Sequence, residues 1–364
     1  MNLFLENYDD NKIIPKFVIS TKLTKGYINK ILDLIFEIIK NTKFDNYNRL
    51  KEIIEREKSK IEDQIKNNGY KVALTRCLSY FNNSGYFNEL TENIEYYYFI
   101  KNLYDNFDNN KEKIVKNLYK LAELLFNKNN MIINITCENN DFLAIKNNIE
   151  KFINLFQDNK ILYYNWDFKL KNKKEAILSS SKVQYVIQGY NIKKLGYGWD
   201  GKLRVLNKVL SSDYLQNKIR IIGGAYGGFS IISPYGTLLL ISFRDPNLYE
   251  TLSNFTLIPD YLNNFNPTQD EMKRYIIVTI AQLDKPLTPQ QKGYLALKNS
   301  LEKISYKNIL EERLQILNTM KEDIQKMSEI IKNVIKLNNY CVFGNENKIN
   351  ENKQLFENII LPIK

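Results

Sequence analysis

The order of its hydrophobic patterns constrains this chain more than any single residue. Twice along the 364 residues, helical stretches give way to one β-branched run and then to a short helix. Residues 26–40 place Ile28, Ile31, Leu32, Leu34, Ile35 and Ile38 at helical spacing, behind a strand candidate at 16–20. Residues 46–67 put Leu50, Ile53, Ile54, Ile61 and Ile65 on one face and Glu and Lys on the other. Helices are predicted over 71–81, 89–106 and 110–127, then a strand over 131–137 and a helix over 141–156. In the second pass 183–188, 218–222 and 238–243 read as strands, and Asp245-Pro246 as a helix start. Helices over 247–254, 268–282 and 309–337, a strand over 339–344 and a short helix over 350–358 complete it. The repeated order predicts an α+β chain of two related domains, 1–157 and 158–364, each a mainly antiparallel sheet packed with helices. A chain of this length can bury two cores.

Composition excludes several classes. A hydrophobic fraction of 44% with 13% aromatics is that of a folded chain, since disordered chains lack the apolar side chains to offset ordering entropy. No apolar run approaches the roughly 18 residues that cross a bilayer, and the first residues lack the basic and apolar regions of a secretory signal, so the expectation is a cytoplasmic protein with no membrane partner. Cys77, Cys137 and Cys341 are too scattered for a disulfide framework. The net charge of +11 suggests nucleic acid only if it clusters, and the lysines instead alternate with Glu and Asn, as across 60–66; no nucleic-acid partner is expected.

The chain contains no histidine. That removes Ser-His-Asp and Cys-His nucleophile systems, and three isolated cysteines cannot make a zinc site. Gly196-Tyr197-Gly198-Trp199-Asp200-Gly201 fits a dinucleotide-loop pattern, but no clear strand precedes it and no acidic residue follows at the ribose distance. It reads as a turn feeding a helix over 202–211. The run from Arg220 through Gly223, Gly224, Ala225, Tyr226, Gly227 and Gly228 to Phe229 is different. Glycine at this density lets a backbone approach another chain closely or take positive φ. Arg offers a fixed fork of donors and Tyr a hydroxyl, both suited to carbonyl oxygens and to an oxyanion; a structural glycine turn with a core tyrosine is the alternative.

Residues 220–229, with Ser242-Phe243-Arg244-Asp245-Pro246-Asn247-Leu248 after a strand, resemble the presequence-protease branch of the pitrilysin and insulinase metallopeptidases. Ile276 to Asp284 with the loop carrying Pro286, Pro289 and Lys292-Gly293, Val342-Phe343-Gly344-Asn345, and Gly69-Tyr70-Lys71-Val72-Ala73 extend the likeness over nearly the whole chain. The resemblance implies a clam-shell of four related domains closing on unfolded peptides, with this chain its third and fourth and the third beginning part-way in. It implies that the zinc site, His-x-x-Glu-His with a distal Glu, lies in an amino-terminal half, so that no metal belongs to this chain and alone it is inactive. It also implies that Arg220 and Tyr226, six residues apart, hold substrate carbonyls and stabilise the tetrahedral intermediate, with Gly223, Gly224, Ala225 and Gly227 at the substrate backbone. The expected partners are peptides and a zinc-bearing half; a non-catalytic peptide-binding scaffold is the rival.

Overall fold

The computed structural model describes residues 1–160 and 166–363. A short hairpin opens the chain, β1 (Asn2–Leu5) antiparallel to β2 (Ile13–Lys16). Helices α1 (Ile28–Asn41), α2 (Tyr47–Asn67), α3 (Gly69–Leu78), α4 (Asn83–Glu92), α5 (Ile94–Asp105), α6 (Phe107–Leu125) and α7 (Asn139–Ile153) follow. Then come β3 (Lys174–Ser179), β4 (Gln184–Asn191), α8 (Lys202–Val209), β5 (Gly227–Ile232) and β6 (Thr237–Asp245). Helices α9 (Tyr249–Thr256), α10 (Ile258–Asn263), α11 (Gln269–Leu283), α12 (Pro289–Leu301), α13 (Tyr306–Leu317), α14 (Lys321–Lys326) and α15 (Ser328–Lys336) lead to β7 (Tyr340–Asn345), α16 (Glu346–Glu351) and β8 (Asn358–Ile360).

Six strands form one mixed sheet in the order β5-β6-β4-β7-β3-β8, antiparallel from β5 to β7 and parallel where β3 meets β7 and β8. Helices cover both faces, because the buried strands have no polar side to expose. In β6, Leu238, Leu239, Leu240 and Ile241 are all buried, and the two-residue period of a strand sends them to opposite sides. Leu238 and Leu240 join Val186 and Val342 in a core with Leu203, Leu206 and Phe255 of the later helices. Leu239 and Ile241 join Ile187, Cys341 and Phe343 in a core with Ile61, Val72 and Ile94 of α2, α3 and α5. Packing therefore crosses the expected 157/158 division. The α+β class is as expected, but the two units share strands unequally: among the described residues the first supplies only the β1–β2 hairpin.

Local chemistry fixes the helix ends. The Asn46 and Asn68 side chains accept from the backbone N–H groups of Arg49 and Lys71, capping α2 and α3. Thr268 with Glu271, and Thr288 with Gln291, form capping boxes on α11 and α12. The α12 box and Pro289 at its first turn make a helix where a loop was expected. The single helices expected over 89–106 and 309–337 are broken. At Asn93 the chain leaves helical φ/ψ and the buried amide donates to the Val72 carbonyl and to Glu89; at Met320 the chain is extended and Asp323 accepts from its N–H.

Three strand expectations are corrected. β2 ends at Lys16, so residues 17–20 are not in the hairpin. Residues 131–137 are in no strand and pair with none among the described residues, and a β-branched run without a partner cannot form a ladder. Residues 218–222 are helical: α8 continues through π-helical turns, Leu210–Tyr214 and Gln216–Ile222. Leu215 and Ile219, four apart, are both buried in the core, which is the spacing a helix needs.

Candidate functional site

The π-helical continuation of α8 ends at Ile222, and the chain reverses before entering β5, the edge strand of the sheet. Arg220 lies in the last helical turn and Tyr226 directly precedes the strand. Backbone bonds close the reversal: the Gly223 N–H donates to the Lys218 carbonyl at 3.1 Å, Gly224 to Arg220 at 3.0 Å and Ala225 to Ile219 at 3.1 Å. Gly224 takes φ +77°, a conformation L side chains rarely adopt. Gly228 serves close approach: a Cβ there would meet the Ile219 Cβ and the Leu215 carbonyl at 2.7 Å, so only hydrogen lets β5 lie against the π-helical turn.

The turn leaves Arg220 at its start and Tyr226 at its end, both exposed at the surface. Tyr226 is 69% exposed, its ring tilted against Phe243 at 6.1 Å between centroids. Arg220 is exposed, Gly223 and Gly227 are half-buried, Gly224 is exposed, and Ala225 is buried in the core beneath them. Ile221 and Ile222, each 68% exposed, and Tyr249 add apolar surface beside the pair. A cleft of ≈ 280 Å³ adjoins it, lined among others by Lys218, Ile222, Gly223, Asn247 and Glu250.

A second segment holds the turn in place. Phe243 and Arg244 of β6 together face the single Tyr185 of β4, a β-bulge, and Arg244 takes φ +50°. The Arg244 carbonyl accepts from the Tyr226 N–H at 3.3 Å, and the Asn247 amide donates to the Gly223 carbonyl at 2.6 Å. Asp245, fully buried, accepts from the Asn247 N–H and the Thr251 hydroxyl. Burial pushes its carboxyl up from the ordinary value, against these hydrogen bonds. Asp245 thus braces the segment rather than starting a helix, and α9 begins four residues later. Arg244 and Asn247 were not singled out from the sequence; their placement beside the glycine-rich run in the motif was the available signal.

The Gly196–Gly201 stretch is structural. Trp199 donates to Glu312 and the Gly201 N–H to Gln315, docking the turn on α13. Among the described residues no group of His, Cys, Asp and Glu side chains could hold a metal ion, and Cys77 and Cys341 are buried while Cys137 is exposed. The residues present do not fit a zinc site.

Two family descriptions match this chain: "PreP C-terminal domain" over residues 174–343, and the associated domain of subfamily C of the M16 peptidases over residues 1–103. The chain belongs to the presequence-protease-like branch of the pitrilysin family, in its carboxy-terminal half. It is 36% identical to "Protein HypA" of Clostridium perfringens over 355 residues, covering 98% of this chain and 36% of that protein. It is 27% identical to "Presequence protease 1, chloroplastic/mitochondrial" of Arabidopsis thaliana over 318 residues, covering 87% of this chain and 29% of that protein. The chain therefore spans about a third of the length of these relatives. Its fold is similar to that of a protease from Helicobacter pylori, with a TM-score of 0.56, 15% identity and coverage of 88% and 77% of the two chains. It is also similar to a peptidase M16 inactive domain from Pseudomonas fluorescens, with a TM-score of 0.55, 15% identity and coverage of 86% and 73%. No helix of the described residues is long and apolar enough to cross a membrane.

Proposed function

We propose that this chain is the substrate-holding, non-zinc half of a metalloendopeptidase acting on unfolded peptides, and that it works only when joined to a zinc-bearing half. The observation that supports the reading is the closed turn with an exposed arginine at its start and an exposed tyrosine at its end, on the rim of the sheet. The Arg220 guanidinium donates to carbonyl oxygens of the bound peptide and fixes its register. The Tyr226 hydroxyl donates to the oxygen of the scissile carbonyl as negative charge develops there. The turn is braced before substrate arrives, so little reorganisation accompanies the reaction. Gly223, Gly224, Ala225 and Gly227 keep side chains away from the peptide backbone, and the exposed Ile221, Ile222 and Tyr249 offer it apolar contact. The metal, held by the other half, would polarise the same carbonyl. A cytoplasmic location belongs to the same reading.

The test is reconstitution with a zinc-bearing half. Tyr226→Phe should lower kcat about 100- to 1,000-fold, the loss expected for one oxyanion donor, while the melting transition is unchanged. Unchanged turnover in both Tyr226→Phe and Arg220→Ala would leave a peptide-binding scaffold and remove the catalytic role.

A further inference from the structure

Among the described residues, Asn7, Tyr8, Lys303, Asn338 and Arg244 take positive φ without being glycine. The first four sit where the chain turns: in the β1–β2 hairpin, just past α12 and just past α15. Arg244, at +50°, lies inside strand β6. Left-handed backbone at a residue with a side chain costs stability, and such residues gather at sites where a particular side-chain direction matters. Direction is what changes here. Alternation along β6 sends Leu239 and Ile241 to the face covered by α2, α3 and α5, and Leu238 and Leu240 to the other, so a regular strand would place Phe243 on the first face and Arg244 on the second. Phe243 does pack on the first face, against Tyr70 and Tyr185. The Arg244 guanidinium, past the bulge, lies over that same Phe243 ring, 5.9 Å from its centroid. The Tyr226 ring leans on it too, at 6.1 Å. One aromatic ring thus carries both side chains.

Arg244 is an uncommitted cation in this position. It is exposed, and among the described residues its guanidinium has no hydrogen bond or ion pair. The neighbouring Asp245 is buried and taken up by Asn247 and Thr251, while Glu250 lines the cleft with Lys218. Lys218 and Arg220 are likewise without an ion pair among the described residues. A guanidinium steadied on a ring presents a planar fork of donors, and the acceptor that matches it with two bonds is a carboxylate.

We infer that Arg244 determines specificity: it pairs with an acidic side chain of the bound peptide, near the carbonyl that Tyr226 serves. This rests on the proposed peptide-holding role of the turn and adds a preference to it. The test uses the enzyme reconstituted with a zinc-bearing half, and unfolded peptides with Glu or Gln at one position, moved in turn along the residues flanking the cleaved bond. At one position the parent should favour Glu about tenfold in kcat/KM, as a charge-assisted contact provides. The difference should lie in KM, because the contact forms before the reaction. Arg244→Gln should abolish the preference, Arg244→Lys should keep part of it, and Arg244→Glu should favour Lys there instead. Arg244→Gly releases the positive φ, so its melting temperature should hold or rise while the preference is lost. A side chain that only supports the strand would give the opposite pair, a lower melting temperature with the preference kept. That result overturns the assignment, as does a parent without a Glu preference at any position, or an Arg244→Gln variant that weakens both peptides alike. Fluorescence anisotropy of the same peptides, labelled, on the zinc-free pair separates this from the catalytic role. An Arg244-dependent Glu preference in binding, with turnover indifferent to Tyr226→Phe, removes the role of Tyr226 and keeps that of Arg244. Turnover that depends on Tyr226, with no Arg244-dependent preference, does the reverse.

Discussion

Arg76→Met tests what pins the first helices to the sheet. Arg76 is buried in α3 and reaches three carboxylates: Nε and Nη2 donate to Glu175 of β3 at 2.5 and 3.3 Å, and Nη1 donates to Glu89 and Glu95 at 3.0 Å each. Glu175 and Glu89 are fully buried, and Tyr80 and Asn358 supply further donors to Glu175. Glu95 is half-exposed, so its share is that of a surface pair, under about 1 kcal/mol. Methionine fills similar volume but leaves buried Glu89 without its cation and buried Glu175 with only the more distant Lys173 ammonium, at 4.0 Å. Removing one partner of a buried pair costs about 3–5 kcal/mol. Urea unfolding followed by circular dichroism should show that loss at an unchanged m-value. In Arg76→Met/Glu175→Gln one stranded charge is gone, and the double variant should recover at least about 2 kcal/mol relative to additivity. A single-variant loss below about 1 kcal/mol, or strict additivity, would refute the view that the network holds the layers together.

Acid should reveal the same network with a definite sign. Burial alone would raise the Glu175 carboxyl, but Arg76 and Tyr80 hold it below its ordinary value, so its contribution is present above the unfolded carboxylate range near pH 4.3 and is lost as pH falls through the lower folded value. Glu175→Gln should flatten that acid limb of the stability curve. Glu89 runs the other way: burial outweighs the Arg76 charge and raises it, so its ionisation costs stability at neutral pH, and acidification relieves the cost as pH falls through the raised value. Glu89→Gln should therefore remove this opposing slope in the same pH titration. Gly228→Ala forces a Cβ within 2.7 Å of Ile219 and should cost about 1–3 kcal/mol in a melt, whereas Gly227→Ala meets Phe243 at 3.7 Å and Phe229 at 4.0 Å, ordinary contacts, and should not. Equal losses at the two positions would contradict the close approach of β5 to the helix.

Legibility in the sequence followed how much of an element's environment is local. The run at 238–243 was readable because a strand buried on both faces is apolar at every position, and α2 because one stripe of isoleucines suffices to bury it. The misreading of 218–222 shows the limit. Ile219, Ile221 and Ile222 have strand chemistry, but only Ile219 is buried, and Leu215 four residues before it decides for helix. Residues 131–137 show the converse, a strand sequence that pairs with no strand among the described residues. Arg220 and Tyr226 were legible as a spaced pair. The bulge at Arg244 was not, since a positive φ at a non-glycine residue is imposed by tertiary bonds and leaves no composition signal.

The correction at 218–222 changes where the two ends of the motif lie. A strand ending in glycines would splay Arg220 and Tyr226 along an extended chain, six residues apart and roughly 20 Å from end to end. A helix end that folds back on itself puts them at the two ends of one closed turn instead, and the bonds from 223, 224 and 225 back to 218, 220 and 219 leave that turn little freedom. Yet those bonds join the turn only to its own helix. Its position on the sheet comes from the second segment, through the Arg244 carbonyl, the Asn247 amide and the Asp245 brace. The glycine-rich run and the Ser242–Leu248 run are therefore one device split across β5 and β6. Loosening the second, as Asn247→Ala would by releasing the Gly223 carbonyl, should lower turnover in the reconstituted enzyme with Arg220 and Tyr226 both untouched.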